Sequence, residues 1–134
     1  IIGIKDATAD LQRVKALVSI ESFAVLSGAD GSCIEFIEAG GHGFISVTAN
    51  VVPAAMRAIS DAALAGDFAQ AHAINQDLLG LHKSLFVEAN PIPVKWLLQQ
   101  MARIQSGIRL PLVPLAKAHE AEVKAAAQQA HINW

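Results

Sequence analysis

One lysine in this sequence stands where a rigid element could hold a nucleophilic amine. Lys5 directly follows the apolar run Ile1 to Ile4, which has the residue types of a buried β-strand. An apolar pocket removes the solvation of an ammonium group, and the neutral amine attacks ketones to form a Schiff base. The alternative is a lysine at a strand end whose ammonium stays in water. The position alone leaves both interpretations open.

A glycine-rich turn, Gly28 to Gly31, is the second place where the residue types suggest chemistry. Backbone N–H groups at the start of a helix can cradle a phosphate. However, the turn lacks the Gly-Lys-Ser/Thr of a P-loop and the glycine pattern of a dinucleotide site. The alternative is a tight turn in which Asp30 or Ser32 caps the next helix. Its glycines would then also leave space for a ligand to approach.

The histidines and the cysteine do not form a metal-binding pattern. No two of the five histidines have the i, i+4 spacing of a helical metal site, and the single cysteine, Cys33, lies beside none of them. We therefore expect no metal. One cysteine excludes an internal disulfide and fits a reducing, cytoplasmic setting, with Cys33 as a small buried residue.

Composition narrows the class of protein. The chain has 134 residues, of which 53% are hydrophobic and 16% are charged, with a net charge of −2. This length is typical of one domain, and the composition excludes a disordered chain. The near-neutral charge argues against a nucleic-acid partner. No uncharged apolar run approaches the ~18 residues of a membrane helix, so we expect no membrane association.

Short apolar runs alternate with helical patterns in the first part of the chain. The runs are Ile1 to Ile4, Phe23 to Leu26 and Phe44 to Val47. Between them we predict a helix from the N-cap Asp10 to Val18 and another from Ser32 to Ala39. This order predicts an α/β fold with a parallel sheet covered by helices. In such folds reactive groups lie at the carboxyl ends of strands, where Lys5 and Gly28 stand.

The remainder of the chain has helical periodicity. The predicted helices cover Met56 to Leu64, Phe68 to Leu85, Val94 to Ile104 and Ala116 to Ala130. Asp67 and Gln70 have the spacing of a capping box, and Asn90 to Pro93 is predicted as a turn. We therefore divide the chain into βα units in residues 1–66 and a helical extension in residues 67–134.

Several blocks of this sequence resemble one family. Residues Gly3 to Thr8, Leu26 to Gly28 and Gly41 to Asn50 are similar to successive blocks of the 4-hydroxy-tetrahydrodipicolinate synthase (dihydrodipicolinate synthase) family, which are class I pyruvate-dependent aldolases. Residues Asn90 to Trp96 resemble the same enzymes' helical tail and are more specific to the synthase. The first block is shared with sialic acid lyases and keto-deoxy sugar aldolases. The alternatives are therefore N-acetylneuraminate lyase and 2-keto-3-deoxy aldonate aldolase.

The resemblance implies a fold, a reaction and site residues. The fold is the C-terminal part of a (β/α)8 TIM barrel, namely its last three βα units, followed by the extension. Lys5 corresponds to the lysine that forms an imine with pyruvate, Ile45 to a residue that contacts pyruvate, and Gly28 to a glycine beside the second substrate, aspartate semialdehyde. The imine replaces any cofactor, and the family is usually a homotetramer.

The resemblance also implies groups that this sequence lacks. The family uses tyrosines to move protons, and the chain contains no Tyr. We expect these tyrosines to lie before Ile1, in the first half of a longer protein, and the chain to be inactive alone. Loss of acid–base catalysis costs ~10²–10⁴-fold in rate. A half-barrel also leaves strand edges unpaired, so a non-catalytic fragment that only binds or oligomerises is the remaining alternative.

Overall fold

The structure, a computed structural model, describes residues 1–133 as two compact units. The first unit contains Ile1–Ser46 and Ala54–Asn75. The second contains Val47–Pro53 and the described residues from Gln76 onward. Trp134, the last residue of the predicted extension, lies outside the described residues.

A parallel pair of strands forms the centre of the first unit. Strand β1 (Gly3–Asp6) pairs in parallel with β2 (Ala24–Ser27). This confirms the predicted parallel arrangement, but β1 begins two residues later than predicted. Ile1 and Ile2 precede the strand and are exposed, so the prediction of a buried strand from Ile1 is wrong. Their apolar side chains find no covering element among residues 1–133.

Helices α1 (Leu11–Val18) and α2 (Cys33–Glu38) cover the strand pair. As predicted, Asp10 is the N-cap of α1, and its carboxylate accepts hydrogen bonds from the backbone N–H groups of Gln12 and Arg13. A 3₁₀ turn over Asp30–Ser32 leads into α2. One core cluster of buried side chains contains a residue of each of these elements: Val14 of α1, Val25 of β2 and Phe36 of α2.

The third predicted strand, Phe44 to Val47, is wrong as a regular strand. Residues 42–45 do lie beside β2: Ser27 N–H donates to Gly43 C=O at 2.9 Å, and Ile45 N–H donates to Ser27 C=O at 2.8 Å. At the next step Val25 N–H donates to Nδ1 of the His42 ring at 3.0 Å instead of to a carbonyl. Gly43 also has φ of +143°, so only an isolated parallel bridge, Ser27 with Phe44, remains.

Two further helices complete the first unit. Helix α3 (Pro53–Leu64) buries Met56, Ile59 and Ala63 as predicted, but Leu64 at its end is 54% exposed. Helix α4 (Phe68–Asn75) begins after Asp67, whose carboxylate accepts from Gln70 N–H at 3.0 Å, which confirms Asp67 as a cap. The reciprocal bond of the predicted capping box is not formed, because Asp67 N–H donates to the Ala62 carbonyl at 2.9 Å.

The predicted continuous helix from Phe68 to Leu85 is interrupted. A 3₁₀ turn over Gln76–Leu78 separates α4 from α5 (Leu79–Ser84). Steps of three residues suit a 3₁₀ turn as well as an α-helix, so the apolar spacing could not reveal the break. Because α4 packs with α2 in the first unit, the units do not follow the boundary at residue 66. The division into residues 1–66 and 67–134 stays a prediction about the family architecture.

The second unit contains α5, α6 (Ile92–Gln100), α7 (Lys117–Gln129) and a 3₁₀ turn over Thr48–Asn50. Its core consists of fully buried side chains from these three helices and from the residue that follows α5: Leu81, Leu85, Leu97 and Val123. Helix α6 starts inside the predicted turn and ends before Ile104, because Ala102 adopts a left-handed backbone with φ of +53°. Helix α7 agrees with the prediction. None of the described helices has the length and apolar character that a membrane span requires.

Candidate active site

Lys5 lies near the carboxyl end of β1, opposite Leu26 of β2. Its side chain is exposed, whereas that of the next residue, Asp6, is buried. Successive side chains of a strand point to opposite faces, so the amine and the carboxylate leave β1 on different sides. Residues 1–133 do not form the apolar pocket that one interpretation of Lys5 requires, and the exposed side chain agrees with the alternative of a strand-end lysine in water. The reason is geometric, since two strands and a bridged segment cannot close into a barrel.

Gly28 packs against the side chain of Lys5. A Cβ atom placed on Gly28 would lie 2.6 Å from Cε of Lys5 and 2.8 Å from Cβ of Ala7. Ordinary contacts between carbon atoms are ~3.5–4.0 Å, so the lysine stem in its present conformation and the Ala7 methyl leave no room for a Cβ at residue 28. The Gly28 N–H also donates to the carbonyl of Asp6 at 2.7 Å. The structure therefore brings together two of the predicted site residues, Lys5 and Gly28.

Ile45 lies on the segment that borders β2. Its N–H donates to the carbonyl of Ser27, the residue before Gly28, and its side chain is 49% exposed. The three predicted site residues thus belong to neighbouring segments of one parallel arrangement, each near the point where its segment ends. This is the edge at which parallel α/β proteins hold reactive groups.

Asp6 is a residue of this region whose importance the sequence analysis missed. Its carboxylate accepts hydrogen bonds from Thr8 N–H at 2.9 Å and from Nε of Arg13 at 2.8 Å. Hydrogen bonding from Thr8 lowers the pKa of the Asp6 carboxyl, and Arg13 adds to this effect, whereas burial opposes it. The available signal was an acidic residue at a strand end with an arginine in the first turn of the following helix.

The glycine-rich turn behaves as a structural turn. Ala29 N–H donates to Oγ of Ser27 at 3.1 Å, and the same hydroxyl donates to the Ala29 carbonyl at 3.2 Å, so Ser27 closes the turn. Ser32 occupies the N-cap of α2 without a side-chain cap hydrogen bond, so the prediction of Ser32 as a cap is wrong. Asp30 is buried inside the 3₁₀ turn. These bonds favour the turn over the phosphate cradle.

The thiol of Cys33 is buried, as predicted. Burial raises its pKa to about 12, and the nearby carboxylates of Asp30 and Glu35 contribute to the shift. The thiol therefore stays protonated and is a poor nucleophile. In the part of the chain that the structure describes, no group of three or more His, Cys, Asp or Glu side chains could hold a metal ion.

The fold and the site define a class: a parallel α/β protein with a lysine at the carboxyl edge of its strands. Comparison with known families gives the particular member of that class. The model of the dihydrodipicolinate synthetase family matches residues 1–130, and the chain belongs to this family.

Two curated relatives of high identity carry the same name. The 4-hydroxy-tetrahydrodipicolinate synthase of Laribacter hongkongensis (strain HLHK9) is 53% identical over 134 residues, covering 98% of this chain and 46% of the relative. That of Azoarcus sp. (strain BH72) is 53% identical over 135 residues, covering 99% of this chain and 46% of the relative. The chain thus spans about half the length of the curated relatives it matches.

Solved structures show the same similarity. The chloride-inhibited dihydrodipicolinate synthase from Acinetobacter baumannii, complexed with pyruvate, has a TM-score of 0.95 and 46% identity, covering 99% of this chain and 46% of that one. A dihydrodipicolinate synthase variant described as monomeric has a TM-score of 0.92 and 34% identity, covering 98% and 45%. Both neighbours support the α/β fold of the chain.

Proposed function

We propose that this chain supplies the imine-forming part of a Schiff-base lyase that condenses pyruvate with L-aspartate 4-semialdehyde in lysine (diaminopimelate) biosynthesis. In this proposal β1, β2 and the bridged segment are the last three βα units of a (β/α)8 barrel, and the later helices are its C-terminal extension. The family membership, the names of the relatives and the pyruvate complex of one neighbour support it. The relatives' names favour aspartate semialdehyde over the sugar aldehydes of N-acetylneuraminate lyase and 2-keto-3-deoxy aldonate aldolase.

The chemistry begins at the amine of Lys5. Its nitrogen attacks the ketone carbon of pyruvate, and loss of water leaves an imine. The protonated imine withdraws electrons, so the methyl carbon loses a proton and an enamine forms. That carbon then bonds to the aldehyde carbon of aspartate semialdehyde, and the aldehyde oxygen takes up a proton. The amino group of the same substrate attacks the imine carbon, which closes the ring, releases the Lys5 amine and gives the first cyclic intermediate of the lysine pathway. Because the imine acts as the electron sink, the proposal requires no metal and no organic cofactor.

One observation carries the proposal: the Lys5 stem packs over Gly28. A Cβ at this glycine would come within 2.6 Å of Cε of Lys5, so the turn is shaped for the lysine. In the proposed site Ile45 contacts bound pyruvate, and Gly28 lies beside the second substrate. The exposed face of Ile45 leaves it free to make such a contact.

Complete turnover requires proton transfer that this chain does not supply. The chain has no tyrosine, and we propose that the family's tyrosines come from the other half of the barrel. The chain alone is expected to form the imine but to be inactive in complete turnover, since the loss of acid–base catalysis by itself costs ~10²–10⁴-fold in rate. A homotetramer and a cytoplasmic location belong to the same proposal; one structural neighbour is described as a monomeric variant.

The test is reductive trapping. The chain is incubated with pyruvate and borohydride, and the expected product is an adduct on Lys5 with the mass of pyruvate less one water plus two hydrogens. Lys5→Arg keeps the charge, and we expect it to abolish the adduct, while Lys15 on α1 serves as an unmodified internal control. If no adduct forms on Lys5, the non-catalytic half-barrel that only binds or oligomerises is the better interpretation. When the other half of the barrel is supplied as well, added aspartate semialdehyde should consume the imine, whereas a sugar aldehyde should not.

A further inference from the structure

Asp6 joins three parts of the first unit at the end of β1. One carboxylate oxygen accepts from the N–H of Thr8 in the following loop, and the other accepts from Nε of Arg13 on α1. Its backbone carbonyl accepts from Gly28 N–H at 2.7 Å. The Asp6 side chain is 4% exposed, whereas that of Arg13 is 51% exposed. The buried member of the pair is therefore held by an arginine that reaches in from the surface.

These bonds fix the direction in which Lys5 leaves the strand. Asp6 and Lys5 are neighbours on β1, so their side chains occupy opposite faces. A shift of one residue along the strand would exchange the faces. A buried carboxylate without partners is costly, so the pair with Arg13 and the Thr8 bond oppose such a shift. The same residue also holds Gly28, over which the lysine stem passes.

We propose that Asp6, held by Arg13, is a positioning residue for the imine chemistry of Lys5. It touches no substrate and acts by fixing the end of β1 and the Gly28 turn, so that the amine meets the ketone carbon at a defined angle. The inference rests on the proposed function of Lys5. It predicts that breaking the pair slows imine formation more than it weakens pyruvate binding.

The first variant is Asp6→Asn, which keeps the size of the side chain and an acceptor for Thr8 but removes the charge that faces Arg13. At saturating pyruvate we expect the trapping rate to fall by ~10–10²-fold, the range for a small misplacement of a reacting group. The pyruvate concentration for half-maximal trapping should change by less than the rate. Asp6→Glu, which retains the carboxylate, should recover part of the rate. Arg13→Gln leaves Thr8 bound to Asp6 and is the milder variant if Asp6→Asn does not fold.

The chain offers a matched control on α3. Nε of Arg57 donates to both carboxylate oxygens of Asp61 at 2.7 Å, and the Asp61 side chain is 55% exposed. Asp61→Asn thus makes the same chemical change beside an arginine in the same unit, away from β1. We expect it to trap pyruvate at the wild-type rate. Equal slowing in Asp61→Asn and Asp6→Asn would overturn the inference.

A second measurement does not depend on pyruvate. The Gly28 amide hydrogen is bonded to the Asp6 carbonyl, so its exchange with solvent reports the end of β1. We expect Gly28 to lose protection in Asp6→Asn and to keep it in Asp61→Asn. If the wild-type chain gives no adduct on Lys5, the proposed function fails, and Gly28 exchange still decides whether Asp6 fixes this turn. Wild-type trapping or unchanged Gly28 protection in a folded Asp6→Asn chain overturns the positioning role.

Discussion

Replacing Gly28 by alanine tests directly whether the packing of Lys5 against Gly28 sets the position of the lysine amine. The added Cβ would lie 2.6 Å from Cε of Lys5 and 2.8 Å from Cβ of Ala7. These separations are about 1 Å shorter than ordinary carbon contacts. The closer atom belongs to a flexible stem that can rotate away, whereas the Ala7 methyl is fixed to the backbone. We therefore expect the substitution both to turn the Lys5 stem away and to move the backbone that carries the Ala7 methyl.

The expected magnitudes for stability and reactivity differ. Overpacking costs ~1–3 kcal/mol, and the clash with the fixed Ala7 methyl remains after the lysine has rotated away. Alanine also reduces the freedom of the unfolded chain, which stabilises by ~0.4–1 kcal/mol where the backbone accepts it. Gly28→Ala should therefore lower the free energy of unfolding by about 1–2 kcal/mol, within these ranges. The trapping rate of Lys5 should fall by ~10–10²-fold, because the displaced amine no longer meets the ketone carbon.

The assay combines urea unfolding with pyruvate and borohydride trapping, and Gly31→Ala is the control. A Cβ on Gly31 would have no heavy atom within 4 Å, although the residue lies in the same turn. We expect Gly31→Ala to trap pyruvate at the wild-type rate and to be as stable as the wild type or slightly more stable. Wild-type trapping by Gly28→Ala would refute the claim that the Lys5–Gly28 packing sets the position of the amine.

Three further predictions concern buried groups. The pKa of Asp6 in the folded chain is lowered from 3.8. The ionised carboxylate therefore stabilises the fold above pH 3.8, and this contribution is lost as the pH falls through the lower folded pKa. The free energies of urea unfolding of the wild type and Asp6→Asn should thus converge between neutral and acid pH. Thr48→Val removes the buried 2.8 Å hydrogen bond between Oγ1 of Thr48 and Nδ1 of His82 and should cost ~1–3 kcal/mol, measured by thermal or urea unfolding. Cys33, with its pKa raised to about 12, should react with iodoacetamide at mildly alkaline pH only after unfolding, and rapid labelling of the folded chain would contradict its burial.

Local signals in the sequence predicted the elements whose ends depend on a single side chain. Asp10 and Asp67 each cap a helix at the predicted place, because a carboxylate acts on the backbone two or three residues ahead. The parallel pairing of β1 and β2 also followed from the order of apolar runs and helical patterns. The position of Lys5 at a strand end could be predicted for the same reason.

Features that depend on side chains meeting through space could not be predicted. The contact between Gly28 and Lys5 joins residues 23 positions apart, and no residue near Gly28 in the sequence indicates that a Cβ would not fit there. The pair of Asp6 and Arg13 likewise forms only after α1 folds back onto β1. The third strand was predicted because the apolar run from Phe44 to Val47 has the composition of a strand. The regular pairing is interrupted before this run, at Gly43, whose φ is +143°.

The ring of His42 stands in the sheet where a peptide oxygen would ordinarily stand. Its Nδ1 accepts from the N–H of Val25, a completely buried residue, so in the neutral ring the hydrogen is on Nε2. One main-chain donor of β2, the Val25 N–H, therefore depends on a side chain for its acceptor. A point mutation of His42 can remove this hydrogen bond and leave the path of the backbone unaltered. During evolution, a replacement for His42 keeps the Val25 N–H paired only if it offers an acceptor at the same reach, as the side-chain carbonyl of asparagine does, whereas the 2.8 Å bond from the His42 N–H to the Val25 carbonyl needs only the main chain.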